Sequence, residues 1–182
     1  MVGPSPLRRL MWAAGAVLAA GTIIALAFHG QRSDPSLVQF EPAGVMLSIV
    51  PDAVVEVVIS RGQRRWRFGR AKPNGWAVTP GLPLAESVGT RLDTGLRFLH
   101  VSAPQRVLQP DEVAGISPSE YGLAPPLYSV SIRATGAPPF EIEFGALSPQ
   151  GLAQYARVTG HAEVLLLPSF IGEQWESVMG AP

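Results

Sequence analysis

The segment Ala53–Ser60 reads Ala-Val-Val-Glu-Val-Val-Ile-Ser, and its pattern decides the class of fold. β-Branched residues dominate it, which indicates a strand because such side chains pack well on a pleated surface. Residues 65–68 follow a turn at 61–62 and alternate between arginine and an aromatic residue, so the two kinds of side chain lie on opposite faces. A turn at 73–75 and a return strand at 76–78 extend this pair into an antiparallel meander.

Further along the chain the spacing of apolar residues becomes helical. Between residues 84 and 99, leucine and valine recur at three- and four-residue intervals, which predicts an amphipathic helix packed on the sheet. A second helix is expected after Ser169, whose hydroxyl is suited to cap it, with Ile171, Trp175 and Val178 on one face.

The other apolar runs are short and are separated by turn residues. They predict a helical or turn segment at 111–121 and strands at 101–108, 127–134, 140–144, 154–159 and 163–167. The expected fold class is therefore α+β, a mainly antiparallel β-sheet domain with one or two packed helices. The sequence contains no exact internal repeat.

The segment Leu10–Phe28 carries no charged residue. At about 1.5 Å per residue it spans a hydrocarbon core of roughly 30 Å as a helix. Arg8 and Arg9 precede it, so the positive-inside rule places the N-terminus in the cytoplasm and the rest outside. We predict a cytoplasmic tail, a single transmembrane helix, a linker and a periplasmic α+β domain at residues 1–9, 10–28, 29–44 and 45–182.

A cleaved signal peptide is the alternative interpretation, with Ala25-Leu26-Ala27 as its cleavage site. The apolar run is longer than the hydrophobic region of most signal peptides, which favours the anchor. Both interpretations export the domain to the outer face of a bacterial inner membrane.

Small residues recur at four-residue spacing within the predicted span. Gly15 is followed by Ala19, and Ala16 by Ala20. Such faces allow two helices to approach closely, so we predict contact with other integral membrane subunits there. Because alanine is abundant in this chain, composition alone also explains the spacing.

Composition and motifs argue against several classes of function. Fourteen basic and fourteen acidic residues leave no net charge, unlike the basic excess of nucleic-acid binders. Without cysteine there is no thiolate chemistry, and His29, His100 and His161 lack a second ligand at metal-site spacing. Residues 115–119 lack the last glycine of a nucleophile elbow. We predict a protein that is not an enzyme and has no cofactor or metal.

Two groups of charged residues each allow two interpretations. Glu141 and Glu143 project from one strand face about 7 Å apart, which fits an inverting glycosidase pair, although a solvated strand face is favoured. Arg64, Arg65 and Arg67 surround an aromatic residue, and they predict either a contact surface for an anionic partner or a solvated strand face.

The segment Tyr121-Gly122-Leu123-Ala124-Pro125-Pro126 is the most specific motif of the chain. With the motifs around Arg64–Phe68, Trp76, Phe144-Gly145 and Tyr155, taken in that order, it resembles a bacterial family of exported domains of unknown function. Members of that family are often membrane-tethered and are encoded beside ABC-type permeases and gliding-motility auxiliary components. The resemblance implies an accessory or binding role and brings no catalytic residues.

The expected function is that of a non-catalytic, membrane-anchored accessory subunit of a larger bacterial inner-membrane complex. The complex would serve ABC-type transport or energy transduction, and the subunit would act by protein–protein contact. The alternative is a free-standing tethered periplasmic binding module for an envelope glycan or peptide. A hydrolase is the third hypothesis.

Overall fold

The computed structural model describes residues 20–21, 44–71, 75–78 and 82–180. The chain comprises two units, Met1–Phe40 and Glu41–Pro182, and nearly all of the described residues belong to the second. No helix among the described residues is both long and apolar enough to cross a membrane. The predicted span at 10–28 lies outside them, apart from the helical residues 20–21.

The described residues of the second unit form one nine-stranded antiparallel sheet with two helices packed on one face, which confirms the predicted α+β class. The strands lie in the spatial order β4-β3-β2-β1-β6-β7-β8-β9-β5. The elements are β1 Val54–Arg61, β2 Arg64–Arg70, β3 Trp76–Val78, β4 Leu82–Pro83, α1 Glu86–Val101, β5 Arg106–Leu108, β6 Tyr128–Ala134, β7 Phe140–Leu147, β8 Ala153–Val158, β9 Val164–Pro168 and α2 Ser169–Met179.

The sheet is built from two copies of one arrangement, four antiparallel strands followed by a helix. The first half is β1–β4 with α1, and the second half is β6–β9 with α2. At the centre of the sheet Ile59 lies opposite Val130. Within their own hairpins Ile59 lies opposite Trp66, and Val130 lies opposite Ile142. The same register therefore relates both halves through an approximate twofold axis at the Ile59–Val130 pair.

This correspondence continues into the helices. The pair Phe68-Gly69 on β2 matches Phe144-Gly145 on β7. Pro83 and Leu166 hold matching positions in β4 and β9, and each helix begins three residues later. The halves thus agree in strand register and in the distance from strand to helix.

One hydrophobic core lies between the helices and the inner face of the sheet, and both halves contribute to it. Leu92 of α1 and Trp175 of α2 hold equivalent positions, and both are fully buried. Val88 and Ile171 form a second equivalent pair. Burial of each such side chain contributes about 1.5–3 kcal/mol, so this shared core is the main source of stability.

A glycine in the first turns of each helix brings that helix close to the sheet. A Cβ atom at Gly89 would lie 3.4 Å from Cδ1 of Trp76, which is ordinary van der Waals contact. A Cβ atom at Gly172, the equivalent position, would overlap the side-chain amide of Gln154. Trp76 on β3 and Gln154 on β8 are themselves equivalent, so the two halves fill the same space with different side chains.

The space under α2 is polar as well as closely packed. The buried Gln154 donates from Nε2 to the Gly145 carbonyl oxygen at 2.8 Å. The Tyr128 hydroxyl donates to the Gly172 carbonyl oxygen at 3.1 Å, and its ring stacks on Phe144 with centroids 4.7 Å apart. Burial raises the pKa of Tyr128, and the negative charge of Glu176 adds to that effect.

Two sequence expectations are wrong in detail. The predicted strand at 101–108 is shorter, because Val101 still belongs to α1 and Pro104 has no N–H to donate to a ladder. Ser169 is the first residue of α2 and does not cap it with its side chain. Its backbone N–H donates to the Leu152 carbonyl oxygen at 3.1 Å, which satisfies that group directly. Of the turn expected at 73–75, only the glycine is among the described residues.

Candidate functional site

The face of the sheet opposite the helices, here called the outer face, carries most of the polar side chains of strands β1, β2, β6, β7 and β8. Its residues alternate along each strand with the residues of the core. It is formed by Glu56, Val58, Ser60, Arg65, Arg67, Ser129, Ser131, Arg133, Glu141, Glu143 and Arg157.

Strand register arranges these residues in two rows across the sheet. One row runs through Arg65, Ser60, Ser129, Glu143 and Arg157, and the other through Arg67, Val58, Ser131 and Glu141. Small side chains occupy the middle of each row and long charged ones flank them. The outer face is therefore a narrow strip of small residues between a basic strand, β2, and an acidic strand, β7.

Several charges of the outer face are paired within the chain. Glu56 contacts Arg67 at 3.4 Å and Arg133 at 2.7 Å between nitrogen and oxygen. Glu143 accepts from Nε and Nη2 of Arg157 at 3.0 and 2.7 Å. The sequence patterns did not indicate a role for Glu56, although it is the one charged residue between Val54 and Ile59.

Arg65 and Glu141 differ from these pairs. Neither forms an ion pair with any other residue that the structure describes. The approximate twofold axis relates the two positions, so one half presents a positive charge where the other presents a negative one. Among the charges of the outer face, these two have no ion-pair partner in the described part of the chain.

The three arginines that the sequence grouped together are separated by the sheet. Arg65 and Arg67 lie on the outer face, as their alternation predicted. Arg64 lies on the same side as Trp66 and is opposite Arg61 at the tip of the β1–β2 hairpin. It therefore belongs to a different surface.

Trp76 and Arg70 have structural contacts. The indole Nε1 of Trp76 donates to Oδ1 of Asp93 at 3.1 Å, which ties β3 to α1. Arg70 lies 3.0 Å from the same carboxylate and 4.3 Å above the Trp76 ring, and it also donates to the carbonyl oxygens of Pro51 and Val54. These contacts explain Trp76 as a packing residue of the first half.

Four of the five family-motif residues come together on the second half. The rings of Tyr121 and Tyr155 lie with centroids 4.9 Å apart, and Leu123 is 1% exposed. Gly122 has a φ of 67°, and a Cβ atom there would lie 2.6 Å from the Ala146 nitrogen. Through these residues the turns of residues 109–127 pack against β7 and β8. Packing therefore explains the arrangement of the four motif residues.

The predicted helix-contact residues Gly15, Ala16 and Ala19 lie outside the described residues. Ala20 is helical and exposed.

The two histidines of the described chain each contact an oxygen atom of another residue. His100 Nδ1 lies 3.2 Å from the Met46 carbonyl oxygen, and His161 Nδ1 lies 3.7 Å from a carboxylate oxygen of Glu163. In residues 44–71, 75–78 and 82–180 there is no group of three His, Asp or Glu side chains that could hold a metal ion. Glu141 and Glu143 lie on the outer face, opposite the core residues of β7, and both are half-buried.

Two of the cavities on the surface of the described chain bear on its function. One, of about 270 Å³, lies beside β5 and β9 and is lined by Gly44, Val45, Pro104, Val107, Gln109, Val158, His161, Glu163 and Leu165. The other, of about 610 Å³, lies between the β1–β2 hairpin and the C-terminal end of α2. Its lining includes Arg61, Arg64 and Trp66.

No family model, curated protein or solved structure matches the chain. The resemblance to the exported bacterial family therefore stays a prediction that rests on its motifs.

Proposed function

We propose that this chain is a non-catalytic, membrane-anchored accessory subunit of a larger bacterial inner-membrane complex that serves ABC-type transport or energy transduction. In this proposal residues 10–28 span the membrane once and the domain lies in the periplasm. The domain acts by protein–protein contact through its outer face. The observation that carries the proposal is the asymmetry of the sheet, whose inner face is covered by both helices. No described helix covers the outer face, against which the turns of residues 109–127 pack at β7 and β8.

The shape and composition of the outer face suit a protein partner. Its central residues Val58, Ser60, Ser129 and Ser131 have short side chains, so a flat partner surface can approach the backbone of the sheet closely. Charged residues surround this strip, which matches the usual order of an uncharged interface centre and a polar rim.

The charges of Arg65 and Glu141 favour one orientation of a bound partner. Arg65 and Glu141 lie on opposite sides of the strip, so a partner with the complementary pair can dock in one orientation and is repelled in the reverse one. Arg67 and Glu143 already have partners in the chain and contribute less. Arg65 is therefore the first position to test.

The test is purification of the tagged full-length chain from its native membrane in mild detergent. We expect stoichiometric partner subunits with the wild type and their loss with Arg65→Glu, because the substitution reverses a charge at the rim of the contact. Arg97→Glu is the matched control, since Arg97 is an exposed arginine on α1, outside the sheet. A wild-type chain that elutes as a lone monomer contradicts the proposal, and so does a complex that survives Arg65→Glu.

A second candidate function is a tethered binding module for an envelope glycan or peptide. The cavity of about 270 Å³ beside β5 favours it, because Val107, Val158 and Leu165 provide apolar walls and His161 provides a polar group. Val107→Trp would fill the cavity. For this function the wild type is a lone monomer that binds envelope fragments, and the tryptophan variant loses that binding.

A further inference from the structure

The groove between the β1–β2 hairpin and the C-terminal end of α2 has an unusual lining for this fold. It encloses about 610 Å³ and lies on the helix side of the sheet, away from the outer face. Its lining consists of Arg61, Gln63, Arg64, Trp66, Glu176, Met179 and Gly180.

In the second half of the sheet, apolar residues occupy the positions equivalent to the two arginines of the groove. The residues equivalent to Arg61 and Arg64 are Ile132 and Phe140. Ile132 is fully buried, Phe140 packs on the core, and Ala137 from the longer loop packs beside them. The architecture thus accepts apolar residues at both sites, and the two arginines are not required to build the hairpin.

The arginine pair is exposed and places two like charges side by side at the hairpin tip. Arg61 and Arg64 are directly opposite each other, and like charges in such a cross-strand pair destabilise the sheet. Neither guanidinium lies within ion-pair distance of a carboxylate of the described chain. Glu176 lines the same groove from α2, so the lining has two positive charges against one negative charge.

We propose that this groove binds a small ligand in which an anionic group, a carboxylate or a phosphate, is attached to an aromatic ring. The two guanidiniums provide planar donor forks for the anion. The half-buried indole of Trp66 and the largely buried Met179 provide an apolar wall for the ring. This site is separate from the protein contact proposed for the outer face.

Isothermal titration of the full-length chain in detergent micelles tests the site with two probes, N-acetylphenylalanine and phenyl phosphate. We expect at least one of them to bind, and the probe that binds identifies the anion. The uncharged amide of N-acetylphenylalanine should bind about tenfold more weakly or not at all. Arg61→Gln and Arg64→Gln should each raise the Kd about tenfold, because each removes charge-assisted hydrogen bonds.

Arg65→Gln is the matched control, since Arg65 is next to Arg64 in the sequence but lies on the opposite face. It should leave the Kd unchanged. If it weakens binding as much as Arg64→Gln does, the effect is diffuse surface charge and the site is overturned. Failure of both probes to bind, or equal binding of the amide, overturns it as well. Arg64→Lys keeps the charge and should restore part of the affinity, which separates a binding defect from a folding defect.

Discussion

The two halves of the sheet share strand register and helix position, yet they fill the space beneath their helices in different ways. In the first half the indole of Trp76 lies against Gly89. In the second half the amide of Gln154 and the phenol of Tyr128 lie against Gly172 and are held by buried hydrogen bonds. The same scaffold thus accepts two solutions at one structural position: an indole whose hydrogen bond to Asp93 is partly buried, or an amide and a phenol whose hydrogen bonds are fully buried.

This difference sets how much each half tolerates change. The hydrogen bond of Trp76 to Asp93 is only partly buried, so water can replace it when the indole moves. A buried hydrogen-bond network loses the full desolvation cost of any group that is left unpaired. We therefore expect the second half to be more sensitive to small substitutions than the first.

The largest losses of stability are expected at the equivalent core residues Trp175 and Leu92. Trp175→Ala should lower the free energy of unfolding by about 4 kcal/mol and Leu92→Ala by about 3 kcal/mol, because the indole leaves the larger cavity. Urea unfolding followed by circular dichroism measures both. An equal or larger loss at Leu92 would show that the second half does not dominate the core.

The helix glycines provide the sharpest comparison. Gly172→Ala should cost about 2 kcal/mol, because the new methyl group displaces Gln154 and breaks its buried bond to Gly145. Gly89→Ala should be neutral or stabilise by up to about 1 kcal/mol, since alanine favours the helix and Trp76 leaves room for the methyl group. The thermal midpoints of the two variants should move in opposite directions or differ clearly in size. Equal shifts would contradict the proposed asymmetry.

Alkaline pH should act on the second half alone. Burial raises the pKa of Tyr128 above its unfolded value near 10, so the neutral phenol stabilises the fold below that pH and the contribution is lost as pH rises further. The free energy of unfolding should fall by up to about 1.4 kcal/mol per pH unit above pH 10. Tyr128→Phe should remove this part of the slope, and the equivalent Val57 has no titratable group. Parallel pH curves for wild type and variant would refute the assignment.

The smallest expected effect concerns the ion pairs of the outer face. Glu56→Gln should cost about 1 kcal/mol because Glu56 contacts two arginines, whereas Glu143→Gln should cost about 0.5 kcal/mol because Glu143 contacts one. Both losses should shrink in 1 M salt, where the Debye length is about 3 Å. Loss of the same size at high salt would indicate a packing role for these carboxylates.

Sequence patterns predicted the elements whose periodicity is strong. The β-branched run of β1, the helical spacing of α1 and the alternation of Arg65 and Arg67 were all confirmed. The two-residue strand β4 and the central pairing of β1 with β6 were not predictable, because both depend on contacts between distant residues.

The similarity of the two halves is not visible in the amino-acid sequence, and the reason is physical. Equivalent positions hold different chemistry, such as Trp76 and Gln154 or Val57 and Tyr128, so only the register reveals the match. The candidate groove could not be predicted from the sequence either. The pairing of Arg61 with Arg64 depends on the register of the hairpin and not on their spacing alone.

The two strands that terminate the sheet, β4 and β5, constrain how copies of this domain can accumulate. β4 has two residues, one of them a proline without an N–H, and β5 has three. Because these edge strands are short, they offer few unpaired backbone groups to a further strand. This suppresses the growth of fibres by strand addition. Many copies of this domain can therefore accumulate without templated polymerisation.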